Sequence, residues 1–186
     1  MPARLAARPA NAIYDGTDAV MLSAETSVGK HPIEAVRFMA RIAVETEHSL
    51  RNRGYQDPPT GADPSNTEIV VDAAYHAARE AKVAAIVVFT ASGSSARLVS
   101  RYRPPVPIYA MTPHETVARQ LSVNYGVTPV LAPDVASTDE MLAQMDRLLV
   151  EKSYLKTGEP VVFVAGQPVG RPGTTNLMKL HRVGVG

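Results

Sequence analysis

From residue 65 onward, short apolar runs alternate with longer segments patterned at helical spacing, and few folds accommodate that alternation. Ala84-Ala-Ile-Val-Val-Phe-Thr90, Val106-Pro-Ile-Tyr-Ala-Met111, residues 127–131 and Pro160-Val-Val-Phe-Val-Ala165 read as buried strands, with a last strand around 177–181. The segments between them are helical. Ser65 with Glu68 has capping-box spacing and opens a helix with Ile69, Ala73, Ala77 and Ala81 on one side. Thr112-Pro-His-Glu115 starts a helix that runs to about Leu121, with Thr112 as its N-cap, and residues 137–151 form another through Met141, Met145 and Leu148. Strands separated by helices pair in parallel, because a parallel connection needs a crossover of a dozen or more residues. The expected class is therefore α/β, a three-layer domain with a mostly parallel five-stranded sheet.

Upstream the pattern is thinner. Residues 1–9 are small and basic with no apolar face, and read as disordered or foreign to the fold. Residues 10–16 read as a short helix, Ala19-Val-Met-Leu22 as a buried strand and Ser23 to His31 as a loop. Pro32 then opens a helix to about Leu50, with Ile33, Val36, Met39 and Ala43 at helical spacing. Residues 51–66 contain Asp57-Pro-Pro-Thr-Gly-Ala-Asp-Pro64 and read as a linker. The division is thus 1–9, 10–50, the linker 51–66 and a C-terminal domain 67–186.

Composition excludes several functions. Nineteen Lys and Arg against eighteen Asp and Glu leave no basic excess for nucleic acid. Cysteine is absent, which removes disulfides, zinc-thiolate sites and thiol nucleophiles. No apolar run approaches the ~20 residues that span a bilayer, and the start lacks a basic-then-apolar leader. A cytoplasmic chain with no nucleic-acid or membrane partner is expected.

Three segments carry possible chemistry. Thr90-Ala-Ser-Gly-Ser-Ser95 joins a strand to a helix, so hydroxyls and unpaired N–H groups gather at a helix N-terminus, where anions bind. It lacks the glycine spacing and Lys-Ser/Thr ending of a Walker loop, and a ligand-free Ser-rich cap is the bland reading. Gly166-Gln-Pro-Val-Gly-Arg-Pro-Gly-Thr-Thr175 also follows a strand, and ligands collect at the carboxyl ends of such strands. Arg171 would add charge there, or be an exposed side chain on a glycine turn. Ser23-Ala-Glu-Thr26 sets a carboxylate among hydroxyls, for acid/base work or simply to satisfy a turn. The histidines show no metal-ligand spacing and none reads as a catalyst.

These segments together resemble the C-terminal part of pyruvate kinase. Residues 10–26 with Gly29-Lys30 and Pro32 to Val36 are similar to the stretch that closes that family's catalytic (β/α)8 barrel. Phe89 to Arg97 and Arg101-Tyr-Arg-Pro104 are similar to its effector loop and the helix behind it, and Ala118-Arg-Gln120 and Gly173-Thr-Thr-Asn176 follow in order. The resemblance implies a last βα unit of the barrel followed by the whole C-terminal effector and assembly domain. It also implies that the catalytic lysine, the acidic metal pair, the potassium ligands and the nucleotide-clamping arginine of phosphoryl transfer lie outside this stretch. The chain would then be inactive alone, with no metal and no cofactor, and Ser23 at most on an active-site rim.

On the same resemblance, Thr90, Ser92, Gly93, Ser94 and Ser95 hold an effector phosphate, and Arg171, Gly173 and Thr174 belong to the loop that closes over its sugar. Two departures bear on this. Ala91 stands where family members that bind fructose 1,6-bisphosphate tightly often carry a basic residue. Its absence weakens the case for a bisphosphate and puts a monophosphate effector, such as ribose 5-phosphate, AMP or another sugar phosphate, on an equal footing. Met1 to Pro9 keeps neither acidic residue of the family's corresponding segment. Two other functions remain open: a free-standing sugar-phosphate enzyme of isomerase type, and an interaction module with an empty anion site. A single βα unit exposes Val20, Met21, Leu22 and the Ile33/Val36/Met39 stripe, so residues 10–50 are expected to pack in a non-barrel way, swap between chains or drive homo-oligomer formation.

Overall fold

The short apolar runs are strands of one sheet. In the computed structural model, which describes residues 3–53, 63–169 and 173–185, they are β1 (Ala85–Phe89), β2 (Ile108–Thr112), β3 (Val127–Leu131), β4 (Pro160–Gly166) and β5 (Thr175–Arg182). The helices are α1 (Ala3–Tyr14), α2 (Ala24–Ser27), α3 (Pro32–Arg53), α4 (Asn66–Glu80), α5 (Ser94–Arg101), α6 (Glu115–Leu121) and α7 (Thr138–Glu151). The chain divides into two compact units, Met1–Gln56 and Asp57–Gly186. Most of the linker, residues 54–62, lies outside the described residues.

In the second unit the strand order is β3-β2-β1-β4-β5. β1 pairs in parallel with both β2 and β4, β2 pairs in parallel with β3, and β5 returns antiparallel along β4. Strand side chains alternate between faces. Ile86, Val88, Ile108, Ala110, Val162 and Val164 pack with Val71 and Tyr75 of α4, Val99 of α5 and Leu121 of α6. Ala85, Val87, Met111, Val161 and Phe163 face Met141, Met145 and Leu149 of α7 on the other side. Burying each large apolar side chain stabilises the fold by roughly 1.5–3 kcal/mol. The two-sided arrangement follows from chain direction. The crossovers through α5 and α6 step away from β1, whereas α7 carries the chain back past it, and right-handed crossovers in opposite directions lie on opposite faces.

Local sequence sets most helix starts. The Ser65 hydroxyl accepts from Glu68 N (3.3 Å), while the Glu68 carboxylate accepts from Ser65 N (2.8 Å), a complete capping box. Ser137 caps α7 through Glu140 N (3.2 Å). One start differs from expectation. Thr112 is the last residue of β2 and its hydroxyl accepts from His114 N (3.3 Å), while His114 itself is the N-cap of α6. Pairing with Leu131 of β3 holds Thr112 in the sheet.

The first unit departs further. Ala19 to Leu22 is not a strand, and among the described residues of this unit no strand forms. A strand needs a ladder partner for its N–H and C=O groups, and none is present here. The expected loop at 23–31 contains the short α2, and α3 runs to Arg53 rather than Leu50. The backbone is helical from Ala3, where a disordered end was expected. Packing of α1 against α3, with Ile13 buried, supplies the docking that composition did not reveal. Ile33, Val36, Val20 and Met21 stay exposed, Met21 at 85%. Among the described residues no helix is long and apolar enough to cross a membrane.

Hydrogen bonds from the Ser65 backbone and then its hydroxyl hold the Glu68 carboxyl below its ordinary value of 4.5. A carboxylate with a lowered folded pKa stabilises the native state above its unfolded value and loses that effect as pH falls through the folded one. Glu68→Gln should therefore unfold at lower urea than wild type at pH 7, and the two midpoints should converge as pH drops below about 4.5.

Candidate functional site

β1 and β4 are neighbours in parallel register, with Val88 beside Val164, so the segments leaving their carboxyl ends emerge side by side. One is the Ser-rich turn into α5; the other is the loop from Gly166 to Thr175. Together with the ends of β2 and β3 they line an open cleft of about 620 Å³, solvent included. The cleft lies where the chain reverses direction across the sheet, the usual ligand position of an open α/β fold.

The Ser-rich turn is braced internally. Thr90 is buried, its amide donates to Met111 O (3.0 Å), and its hydroxyl accepts from Gly93 N (2.9 Å). Gly93 has φ 81°, a left-handed backbone that favours glycine, and a Cβ there would also push on the Arg97 guanidinium 2.8 Å away. Arg97 donates to Ser92 O (3.0 Å) and clasps the turn from the helix. Ser92 and Ser94 form a hydroxyl pair at 3.0 Å, and Ser92 also accepts weakly from Ser94 N (3.4 Å). Helix geometry then leaves the Ser95 and Ala96 amides as the unsatisfied donors at the positive end of α5.

The second loop is tied to the first. The Ser95 and Thr175 hydroxyls, both buried, bond at 2.5 Å. Gly166 and Thr174 approach so closely that a Cβ on Gly166 would lie 2.7 Å from the Thr174 hydroxyl and 2.9 Å from its carbonyl. Asn176 sits at the irregularity in the β4–β5 ladder, where its side chain accepts from Gln167 N (2.9 Å) and donates to Gln167 O (2.7 Å). The Gln167 amide donates to Thr138 Oγ1 (2.6 Å) at the start of α7. The loop is thereby anchored on both sides.

These contacts divide the expected phosphate residues by role. Thr90 and Ser95 spend part of their hydrogen-bonding capacity inside the protein, though each hydroxyl pair keeps one proton free to donate. Half-buried Ser92 and exposed Ser94 face the cleft, as do Gly173 and Thr174. Arg171 lies outside the described residues. Sequence reasoning missed Thr112 and Asp134, which line the cleft from the ends of β2 and β3. The rule that ligands collect at strand carboxyl ends pointed to them, but only strand order shows that those two strands share the edge.

In the first unit, Ser23 N donates to the Glu25 carboxylate (3.0 Å) and Thr26 donates to Ser23 O (3.2 Å). Bonds from the Glu25 amide and then that of Ser23 hold the Glu25 carboxyl below its ordinary range. Glu25 and Thr26 thus satisfy a turn. His181 bonds to both carboxylate oxygens of Asp146 (2.9 and 3.0 Å), a link between β5 and α7, and it is absent from the cleft lining.

The family model described as pyruvate kinase, alpha/beta domain, matches residues 68–181. A pyruvate kinase of Geobacillus stearothermophilus is 45% identical over 173 residues, which cover 92% of this chain and 30% of that protein. One of Clostridium acetobutylicum is 42% identical over 175 residues, 94% of this chain and 37% of that protein. One of Staphylococcus aureus is 44% identical over 176 residues, 94% of this chain and 30% of that protein. The chain spans about a third of the length of these relatives.

The Gly166–Thr174 approach leaves no room for a methyl group. Gly166→Ala should destabilise the second unit by about 1–3 kcal/mol in urea unfolding. Amide exchange at 174–176 should accelerate more than exchange in β1.

Proposed function

This chain belongs to the pyruvate kinase family and carries its C-terminal α/β domain, and from that premise we propose that the domain binds a phosphorylated allosteric effector. The observation that supports this most is the bond between Ser95 and Thr175, which joins the Ser-rich turn and the β4–β5 loop in one cleft. The Ser95 and Ala96 amides, the spare hydroxyl protons and the α5 dipole receive one phosphate. The loop from Gly166 to Thr175 covers the sugar. No described lining residue is Lys or Arg, so the donors among the described residues are neutral, and these suit a sugar monophosphate or nucleotide monophosphate better than a bisphosphate.

In this reading the parent reaction, phosphoryl transfer from phosphoenolpyruvate to ADP in glycolysis, belongs to the part of the relatives outside the match, and this stretch is inactive alone. Effector binding is coupled to that reaction only through the longer protein, since coupling needs two sites and two states. In the same reading the residues that hold the family's divalent metal and potassium lie outside this stretch; among the described residues no group of three or more His, Cys, Asp or Glu is placed to hold a metal ion. An isomerase would need a general base at the turn; neither His114 nor Glu115 lines the cleft, and the carboxylate that does, Asp134, follows β3, two strands away from the turn. A cytoplasmic location fits a glycolytic role.

The first unit is proposed to act in assembly. Its exposed Val20, Met21, Ile33 and Val36 suit burial in a second copy of the chain or in the rest of a longer protein.

Two measurements test these readings. Thermal shift against inorganic phosphate, ribose 5-phosphate, glucose 6-phosphate, AMP and fructose 1,6-bisphosphate should show a rise of roughly 5–11 °C for the effector at about 100 times its Kd. Ser94→Asp places a carboxylate at the α5 N-terminus, which keeps or raises the unliganded melting temperature while abolishing the rise. No shift with any phosphate would overturn the effector reading. Light scattering should show concentration-dependent association of the chain, reduced by Met21→Asp with Ile33→Asp; a monomer at all concentrations would overturn association with a second copy.

A further inference from the structure

Asp134, in the segment after β3, is the only charged residue among the described residues that line the cleft. It is exposed, and its carboxylate makes no hydrogen bond or ion pair with a described residue. Its position is set by the sheet. The Ala132 amide donates to Thr112 O (3.1 Å), which holds the start of this segment against the end of β2. β2 separates β3 from β1, so Asp134 stands about two strand spacings, ~10 Å, across from the Ser-rich turn. Val135, Met111 and Met141 of α7 also line the cleft, with Thr112 at the end of β2.

The two ends of the cleft therefore differ in sign. At one end, amides and hydroxyls meet the positive pole of α5; at the other, an exposed carboxylate stands with no Lys or Arg among the described lining residues. We propose that Asp134 determines specificity: it accepts a hydroxyl of the sugar whose phosphate sits at the Ser-rich turn, and it repels a second phosphate at the far end. The proposal rests on the reading of the cleft as a phosphate site. A carboxylate accepts from neutral hydroxyls in strong charge-assisted bonds, whereas a second phosphate at the far end would lie beside the Asp134 carboxylate, where like charges repel most. A single phosphate across the open cleft is about a Debye length away and largely screened. The occupant this geometry selects is a compound with one phosphate and free hydroxyls at the opposite end.

Calorimetric titration of the full chain, Asp134→Asn and Asp134→Ala with inorganic phosphate, ribose 5-phosphate and fructose 1,6-bisphosphate tests this. Asp134 is exposed, and unliganded melting temperatures will show that both variants fold. Inorganic phosphate should bind all three proteins alike. Asp134→Asn should raise affinity for the bisphosphate relative to the monophosphate about tenfold at low ionic strength, and the gain should shrink with salt. Asp134→Ala should weaken ribose 5-phosphate about threefold to tenfold and leave inorganic phosphate unchanged. An unchanged bisphosphate-to-monophosphate ratio in Asp134→Asn, or ribose 5-phosphate binding unaffected in Asp134→Ala, overturns the proposal while the phosphate site stands. Failure of every phosphate to bind wild type overturns both.

Discussion

β1 is hydrogen-bonded along both edges, to β2 and to β4, and its side chains are buried on both faces. Its two neighbours are reached by different routes: β2 through the short α5 crossover, β4 only after the chain has passed through β2, β3 and α7. Because the β1–β4 pair is parallel, two segments more than seventy residues apart in sequence leave the sheet at the same edge. The cleft follows from that pairing. A hairpin between the same strands would send their exits to opposite ends and leave the Ser-rich turn facing solvent.

Within the cleft, rigidity and binding capacity come from the same groups. Thr90 braces Gly93, Ser95 braces Thr175, and Asn176 braces Gln167. A hydroxyl has one proton and two lone pairs, so a residue can accept inside the protein and still donate outward. Hydroxyls suit the proposed anion site for that reason, since the donors are positioned before a ligand arrives. Asp134 stands apart from this network, and the contrast between a donor-rich end and an acidic end gives the cleft a direction.

The first unit shows what local pattern does not convey. Ala19 to Leu22 has the composition of a buried strand, yet no ladder partner is present among the described residues of this unit, and the segment is irregular and largely exposed. Apolar composition states a preference for burial, and the partner decides the conformation. The same logic works in reverse at the start of the chain. Residues 3–9 have no apolar stripe, but α1 is continuous from Ala3 because its later turns pack on α3.

The strands of the second unit, most of the helices, the capping box at Ser65 and the two glycine-bearing loops were legible in the sequence because each rests on local physics: short continuous apolar runs, period-3.6 faces, side-chain caps and residues that permit a left-handed backbone. The helix start at Thr112 was misread, because its pairing with Leu131 is a non-local contact that outweighs a local N-cap signal. The position of Arg171 within the site lies outside the described residues. Strand order was decided only by the tertiary structure, and with it the meeting of the Ser-rich turn with the β4–β5 loop, the internal roles of Thr90 and Ser95, and the place of Thr112 and Asp134 in the cleft. Within the second unit, local sequence determined nearly all of the strands, helices and turns, since those depend mostly on neighbours along the chain; which turns share an edge depends on partners far away in sequence, and only the folded sheet brings them together.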